Sequence, residues 1–216
     1  MVNATLSLSG QIVERLQTEE EVLVPVSLDE YWEVASEIGE EHSPMEYDIE
    51  YLDGHLRARI KMATDFHELI VANLAGTLRS IYYDYPDVRV MGSNRTVYVE
   101  PCQMAVKPDL VVMNAPSDLY PRKGQEAGIK NPYMLVEVFS DSTQKQDRNL
   151  KLRCYKQLPS VQYIIYVEQY LPYVSVYTKN GDVHHWLNDD YDTLDAVIKL
   201  GDAELSLRDI YHKVSF

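Results

Sequence analysis

Two acidic residues interrupt apolar stretches of the chain: Asp109 in KPDLVVM and Glu137 in MLVEVF. An ionised carboxylate inside a buried strand is costly unless a partner or a cation neutralises it. If the two strands are neighbours, the carboxylates can meet and form a hard-oxygen site that Mg²⁺ or Mn²⁺ accepts. The alternative is that each acid caps a turn or pairs with a basic residue such as Lys107 or Lys151.

The segment after Glu137 supplies a third candidate. Asp147, Lys151 and Tyr155 are spaced at i, i+4 and i+8, so they share one face of a helix predicted over about 144–157. This helix begins about where the Glu137 strand ends, which allows Lys151 to lean back over the carboxylate pair. The alternative is an Asp147–Lys151 ion pair on an exposed surface, which stabilises a helix only slightly.

The elements that must position these residues form a mixed α/β (α+β) pattern, with sheet strands flanked by helices. Helical spacing and capping signals predict helices at about 27–38, 65–83 and 144–157. Period-two alternation around Asp53-Gly54 predicts a β-hairpin over 46–60. Further strands are predicted at 89–91, 96–100, 109–113, 133–139, 161–167 and 174–177, with a loop over 115–131 and a final hairpin turn at 180–181.

The length and composition indicate one domain. A chain of 216 residues with 45% hydrophobic residues can build one sizeable core. We predict a loosely attached N-terminal arm over residues 1–25 and a single domain over 26–216. Cys102 and Cys154 match no metal-ligand or secreted disulfide pattern and are predicted to be reduced thiols. Without a signal-peptide pattern or a membrane-length apolar run, a cytoplasmic protein is expected.

The charge is distributed unevenly. A formal net charge of -14 argues against a nucleic-acid partner. However, no lysine or arginine lies between Leu16 and Leu56, so much of the acidity is local. The predicted third helix is instead mostly basic, through Lys145, Arg148, Lys151, Arg153 and Lys156. These residues form either a solvated helix face or a surface that contacts a nucleic-acid backbone.

An ordered set of residues resembles a known family. Its pieces are Pro108-Asp109, the run Glu137-Val138-Phe139-Ser140 with Ser142-Thr143, and Asp147-x-x-x-Lys151-x-x-x-Tyr155. This set is similar to the Uma-two family of predicted bacterial endonucleases, within the restriction-endonuclease-like PD-(D/E)xK superfamily. Three further features match, and they are Glu50 before Asp53-Gly54-His55-Leu56, His67 at the start of a helix, and Leu205–Tyr211 near the end. The resemblance covers about Val26 to the C-terminus.

The resemblance implies a restriction-endonuclease-like core with an extra N-terminal helix and hairpin, and a metal-dependent phosphodiesterase activity. It implies that Asp109 and Glu137 bind Mg²⁺ (or Mn²⁺) and that Lys151 is the catalytic lysine. The superfamily's usual lysine position is occupied by Phe139, so Lys151 on the following helix would replace it. Glu50 and His67 match family positions, and Glu50 is a candidate for completing the metal shell. Asp147 is a further candidate on the Lys151 helix.

The expected substrate is DNA, with Lys145, Arg148 and Arg153 as candidate backbone contacts. A second hypothesis is a catalytically silent or weakly active homo-oligomeric binding or scaffold protein of the same fold, since tyrosines are abundant in the strand-rich segments. A third is a hydrolase of a smaller phosphate ester. A homodimer is expected from the N-terminal arm and exposed strand edges, and no membrane partner is expected. The sequence does not reveal a preferred DNA sequence or a physiological substrate.

Overall fold

The computed structural model describes residues 6–41, 47–61, 63–122, 125–139 and 145–216, except for the side chains of 40–41, 121–122, 125–127 and 145–147. Within these residues the chain forms two large mixed sheets, a small antiparallel sheet and five α-helices. The predicted class, a mixed sheet core flanked by helices, is confirmed. The predicted cap at Ser142-Thr143 lies outside the described residues.

The helices and strands alternate irregularly along the chain. The helices are α1 (Leu8–Arg15), α2 (Leu28–Glu41), α3 (Asp65–Ile81), α4 (Lys145–Tyr155) and α5 (Leu207–Ile210). The strands are β1 (Glu21–Pro25), β2 (Tyr47–Leu52), β3 (His55–Ile60), β4 (Val88–Gly92), β5 (Val97–Val99), β6 (Met104–Val106), β7 (Leu110–Asn114), β8 (Leu119–Arg122), β9 (Gln125–Ile129), β10 (Pro132–Phe139), β11 (Tyr163–Glu168), β12 (Val174–Lys179), β13 (Trp186–Tyr191), β14 (Val197–Leu200) and β15 (Ala203–Ser206).

The first large sheet has the strand order β1-β3-β2-β6-β5-β9-β8. Its β2–β3 hairpin turns at Asp53 and Gly54, which have positive φ angles of 49° and 77°. Left-handed backbone of this kind suits a two-residue hairpin, so the Asp-Gly signal is confirmed. The predicted capping box of α2 is also confirmed, because Ser27 and Glu30 exchange backbone-to-side-chain hydrogen bonds.

The second large sheet has the strand order β13-β12-β11-β10-β7-β4 and places β10 at a central position. β10 pairs in parallel with β11 and antiparallel with β7. One face of this sheet packs on α3, α5 and the β14–β15 sheet. The other face shares a core with α4 and with strands β5 and β6 of the first sheet. The side chains of β10 therefore alternate between two buried layers.

The N-terminal segment 8–25 packs against the first sheet. Ile12 and Leu16 of α1 and Val22 of β1 are buried in one core with α2 and the β2–β3 hairpin. β1 pairs with β3 and forms the edge of the sheet. The expectation of loose attachment is therefore wrong for these residues, because their apolar side chains cover the outer face of the hairpin.

Two other features differ from the expectations. The segment 115–131, predicted as a loop because of its Pro and Gly residues, contains the antiparallel strands β8 and β9. The prediction of reduced thiols is also wrong in the structure, where Cys102 and Cys154 form a disulfide across 52 positions of sequence. This bond joins α4 to the short turn between β5 and β6. None of the helices in the described part of the chain is long and apolar enough to cross a membrane.

Candidate active site

The two acidic residues that interrupt the apolar stretches lie on adjacent strands. β10 and β7 pair antiparallel with Leu135 opposite Val111 and Val136 opposite Leu110. One further step of this register places Asp109 opposite Glu137. Side chains that lie directly opposite in an antiparallel pair have Cβ atoms about 4.5–5.5 Å apart. The Oδ2 atom of Asp109 also accepts a hydrogen bond from the backbone N–H of Val138, at 2.7 Å.

Glu137 is buried on the face of β10 that packs against α4. Its Oε1 accepts a hydrogen bond from the Tyr155 hydroxyl at 2.7 Å and lies 3.5 Å from the Lys151 ammonium. Burial raises the pKa of Glu137, to about 8, because desolvation outweighs the attraction of Lys151 and because the charges of Asp109 and Glu50 add to the shift. A proton or an added cation therefore stabilises this carboxylate.

Glu50 on β2 is equally buried but has a different environment. Its Oε1 accepts hydrogen bonds from the Lys151 ammonium at 2.8 Å and from the Lys107 backbone N–H at 3.1 Å. Its Oε2 accepts a hydrogen bond from Arg57, and Arg59 lies 4.0 Å away. Burial alone would raise the pKa of Glu50, but the attraction of Lys151, Arg57 and Arg59 lowers it well below its usual range. Both Glu50 oxygens are thus already engaged by donors and cations.

His67, in the first turn of α3, contacts the other carboxylate. Its Nε2 lies 3.2 Å from Oδ1 of Asp109. Burial would lower the pKa of His67, but the hydrogen bond and the charge of Asp109 raise it. α3 is positioned by Thr64, whose hydroxyl accepts the backbone N–H of His67 and caps the helix. The family position at His67 therefore lies next to the candidate metal ligand.

These groups face one cavity of about 330 Å³ between the two large sheets. Asp109, Glu137 and Lys151 line it together with His67. Glu50 is 1% exposed and lies behind the wall, where it holds Lys151. The structure therefore brings together the predicted Asp, Glu and Lys, and it adds Glu50 as the residue that holds the lysine.

The remaining predicted residues lie on or near α4. Arg148 forms an ion pair with Glu168, and its guanidinium lies over the rings of Phe139 and Tyr166 at 4.8 and 4.9 Å from the centroids. Arg153 is exposed. The side chains of Lys145 and Asp147 lie outside the described part of the structure. Phe139 fills space beneath α4, which explains how the position can be apolar while Lys151 supplies the ammonium group.

The donor set fits a hydrated divalent cation. Asp109 and Glu137 supply carboxylate oxygens to the same cavity, and their mutual repulsion contributes to the raised pKa of Glu137. Among the described residues there is no cluster of three or more His, Cys, Asp or Glu side chains suited to a metal ion. Mg²⁺ commonly binds through one or two carboxylates and keeps several waters, so two protein carboxylates are sufficient.

The sequence patterns assign no catalytic or binding role to several other residues of the cavity. Arg59, Lys61, Lys107 and Gln169 all line it. The predicted hairpin carries Arg59, and period-two alternation places Arg57, Arg59 and Lys61 on one face. That alternation was the available signal, but it does not reveal which side of the sheet faces the carboxylates. Gln169 follows β11 and has no sequence signal of its own.

Comparison with known proteins gives the fold class first. The chain is similar to the crystal structure of a protein from Anabaena variabilis described as "a putative nuclease belonging to DUF820". The match has a TM-score of 0.62 and 19% sequence identity, and it covers 87% of this chain and 98% of that one. The chain therefore shares the α+β fold of that protein.

Sequence comparison then gives the family. Residues 29–208 match the model of the Uma2 family, whose description is "Putative restriction endonuclease". An uncharacterized protein from Synechocystis sp. is 30% identical over 148 residues, which is 68% of this chain and 74% of that protein. The chain belongs to the Uma2 family, which confirms the resemblance to the Uma-two endonucleases.

Proposed function

We propose that this protein is an endonuclease that hydrolyses DNA phosphodiester bonds with the help of Mg²⁺ or Mn²⁺. The observation that carries the proposal is that Glu137 on β10 and Asp109, directly before the paired strand β7, line one cavity with Lys151. Membership of a family described as "Putative restriction endonuclease" supports the choice of substrate. Asp109 and Glu137 would hold the cation, and Lys151 would act on the reacting phosphate or water.

Several residues of the chain would have separate roles in the reaction. When bound, the cation would polarise a phosphoryl oxygen and activate a water molecule. Glu50 accepts a hydrogen bond from the Lys151 ammonium and orients it, so that its positive charge can stabilise the negative charge that develops on the phosphate. Tyr155 fixes one oxygen of Glu137 by its hydrogen bond. His67 orients Asp109 through the contact between its Nε2 and Oδ1 of Asp109.

Nicking of supercoiled plasmid in Mg²⁺ or Mn²⁺ tests this proposal. We expect wild type to nick, and Asp109→Asn, Glu137→Gln and Lys151→Met each to lose at least about 100-fold in rate, as when a group that stabilises the transition state is removed. Asp189→Asn is the matched control, because Asp189 is an exposed carboxylate on β13. If wild type does not nick, or if all variants nick equally, the proposal is wrong.

A homodimer remains part of the proposal. Its support is the edge strand β1, where Leu23 is 53% exposed at the border of the first sheet. Exposed strand edges can pair with a second chain. Sedimentation equilibrium would give twice the mass of one chain if the dimer forms, and Leu23→Lys would then return the mass to that of one chain.

A further inference from the structure

The lining of the cavity also contains basic residues. Arg59 and Lys61 follow each other at period two near the end of β3, and Lys107 precedes Asp109 in the chain. All three line the cavity. We call Arg59, Lys61 and Lys107 the basic wall. Arg59 and Lys61 lie in and just after β3 of the first sheet, whereas Glu137 lies on β10 of the second sheet.

Two members of the basic wall have no carboxylate partner among the described residues. Arg59 binds Asp48, with Nη2 2.7 Å from Oδ2. By contrast, the Lys61 ammonium contacts a neutral group, the Asn94 amide oxygen at 3.3 Å. Within the described ranges, the half-buried Lys107 side chain has neither a hydrogen bond nor an ion pair. In this part of the chain, two partly buried ammonium groups thus have no carboxylate at ion-pair distance.

The electrostatics of Lys107 agree with this geometry. The positive charge of Lys61 acts on the Lys107 ammonium, and so do the opposing charges of Asp48 and Glu50. The two ammonium groups are therefore close enough to repel each other. An anion between them would relieve the repulsion and replace the water that each lysine has lost.

The cations near α4 provide a contrast. Arg148 is engaged by Glu168, and Lys151 is engaged by Glu50. Lys156 lies over the ring of Tyr177, with 4.3 Å between the ammonium and the ring centroid. These groups do not line the cavity, except for Lys151. Lys61 and Lys107 are therefore the lysines of the cavity lining that have no carboxylate partner among the described residues.

A second observation also indicates a ligand in this cavity. Gln169 lines the cavity and is fully buried, and its amide Nε2 has no hydrogen-bond acceptor among the described residues. Its Oε1 is used by the Thr64 hydroxyl. A buried donor without an acceptor is uncommon in folded proteins and is satisfied when a ligand supplies an oxygen.

We propose that Lys61 and Lys107 form a phosphate-binding subsite that holds a backbone phosphodiester of the DNA next to the one cleaved. This inference rests on the proposed function, because it takes DNA as the ligand. Phosphodiester oxygens would supply the anionic partner that the two lysines lack. A phosphate in the cavity would also lie within reach of the Gln169 amide. The subsite would direct the DNA backbone into the cavity. Contacts from α4 alone would leave the DNA backbone on the outer surface of the protein.

The test is the salt dependence of DNA affinity. Binding of a short fluorescein-labelled DNA duplex is measured by anisotropy in Ca²⁺ over a series of KCl concentrations, with intact DNA verified on a gel. For Lys61→Ala/Lys107→Ala we expect affinity at least about tenfold weaker and a log–log salt slope shallower by about 0.9 for each phosphate that is no longer neutralised. Lys199→Ala/Lys213→Ala is the matched control, because it removes the same charge from two exposed lysines outside the cavity.

The conservative and single variants keep the test decisive. Lys107→Arg should retain the wild-type slope, and Lys61→Ala alone should show about half of the change seen in the double variant. A slope that falls equally in the control, or a wild type that does not bind the duplex, overturns the subsite. Nicking with an unchanged slope rejects the subsite while the proposed function stands. A slope that changes only in the cavity variant, without nicking by wild type, supports the subsite and rejects hydrolysis.

Discussion

Glu50 and Glu137 are two buried glutamates whose carboxylates lie on either side of the Lys151 ammonium, at 2.8 and 3.5 Å. Glu50 is held by Lys151 and Arg57, and its pKa is lowered. Glu137 accepts a hydrogen bond from the neutral hydroxyl of Tyr155, and the pKa of Glu137 is raised. The same side chain at similar burial therefore carries a stable negative charge in one place and prefers a proton in the other.

This difference indicates which carboxylate is available to a metal. A cation near Glu50 would meet three basic side chains that already neutralise it. A cation near Glu137 would replace a proton and would also neutralise Asp109. The positions of the basic residues therefore favour Glu137 over Glu50 as a ligand of the proposed metal site, and they favour a structural role for Glu50.

The largest expected effect is on folding stability. Glu50→Gln should lower the free energy of unfolding by about 3–5 kcal/mol, because it leaves buried cations without their partner. The same substitution at Glu137 should change it by less than about 1 kcal/mol at pH 7, since the protonated acid and the amide are similar in charge and shape. Urea unfolding in EDTA measures both, and equal losses would contradict the comparison.

Loss of the disulfide should destabilise α4, the helix whose Lys151 contacts both glutamates. Cys154 lies on α4 between Lys151 and Tyr155, and its bond to Cys102 joins α4 to the first sheet. Removing a native disulfide costs about 2–4 kcal/mol. Cys102→Ser should therefore lower the free energy of unfolding by that amount relative to oxidised wild type. An oxidised wild type that unfolds at the same urea concentration as Cys102→Ser would show that the bond does not form in solution.

The contributions of the two glutamates to the free energy of unfolding should change with pH in opposite directions. The pKa of Glu137 is raised from its usual 4.5 to about 8 in the folded protein. Between these two pH values, folded Glu137 keeps a proton that the unfolded chain has released, so its contribution to stability falls as pH rises. The slope is up to about 1.4 kcal/mol per pH unit. Glu50 acts in the opposite direction, since its contribution is present above its unfolded pKa and is lost on acidification.

Urea unfolding of wild type and Glu137→Gln across this range in EDTA gives the difference directly. Wild type should lose stability relative to the variant as pH rises from 5 to 8. A difference that stays constant with pH would mean that Glu137 is already ionised in the folded protein.

The smallest effect concerns the hydroxyl on Glu137. Tyr155→Phe removes one hydrogen bond and keeps the buried ring, so we expect a loss of about 1 kcal/mol in the free energy of unfolding. Tyr170→Phe is the control, because Tyr170 is 52% exposed. A loss in the control as large as that in Tyr155→Phe would mean that the Glu137 hydrogen bond contributes nothing.

Local patterns in the sequence were sufficient for much of the fold and the acidic part of the site. Alternation along two strands placed Asp109 and Glu137 on faces that could meet, and helical spacing placed Lys151 and Tyr155 on one face of α4. The Asp-Gly hairpin and the α2 capping box have equally local causes. Each of these features depends on residues within a few positions of each other.

The rest depends on tertiary pairing. Glu50 meets Lys151 only because the β2–β3 hairpin lies next to α4, although the two residues are 101 positions apart in the chain. The Cys102–Cys154 bond and the buried Gln169 amide arise in the same way. Strands β8 and β9 were missed because their Pro and Gly residues disfavour strands locally. In the structure, β9 pairs with β5, and β8 pairs with β9.

Calorimetric titration of Mn²⁺ into the protein at pH 7 tests the metal assignment most directly, with buffers of different ionisation enthalpy used to count released protons. Wild type should bind one Mn²⁺ per chain and release up to one proton, because the cation displaces the proton of Glu137. Glu137→Gln and Asp109→Asn should lose this binding, and Asp189→Asn should keep it. Unchanged Mn²⁺ binding and proton release in Glu137→Gln would contradict the assignment.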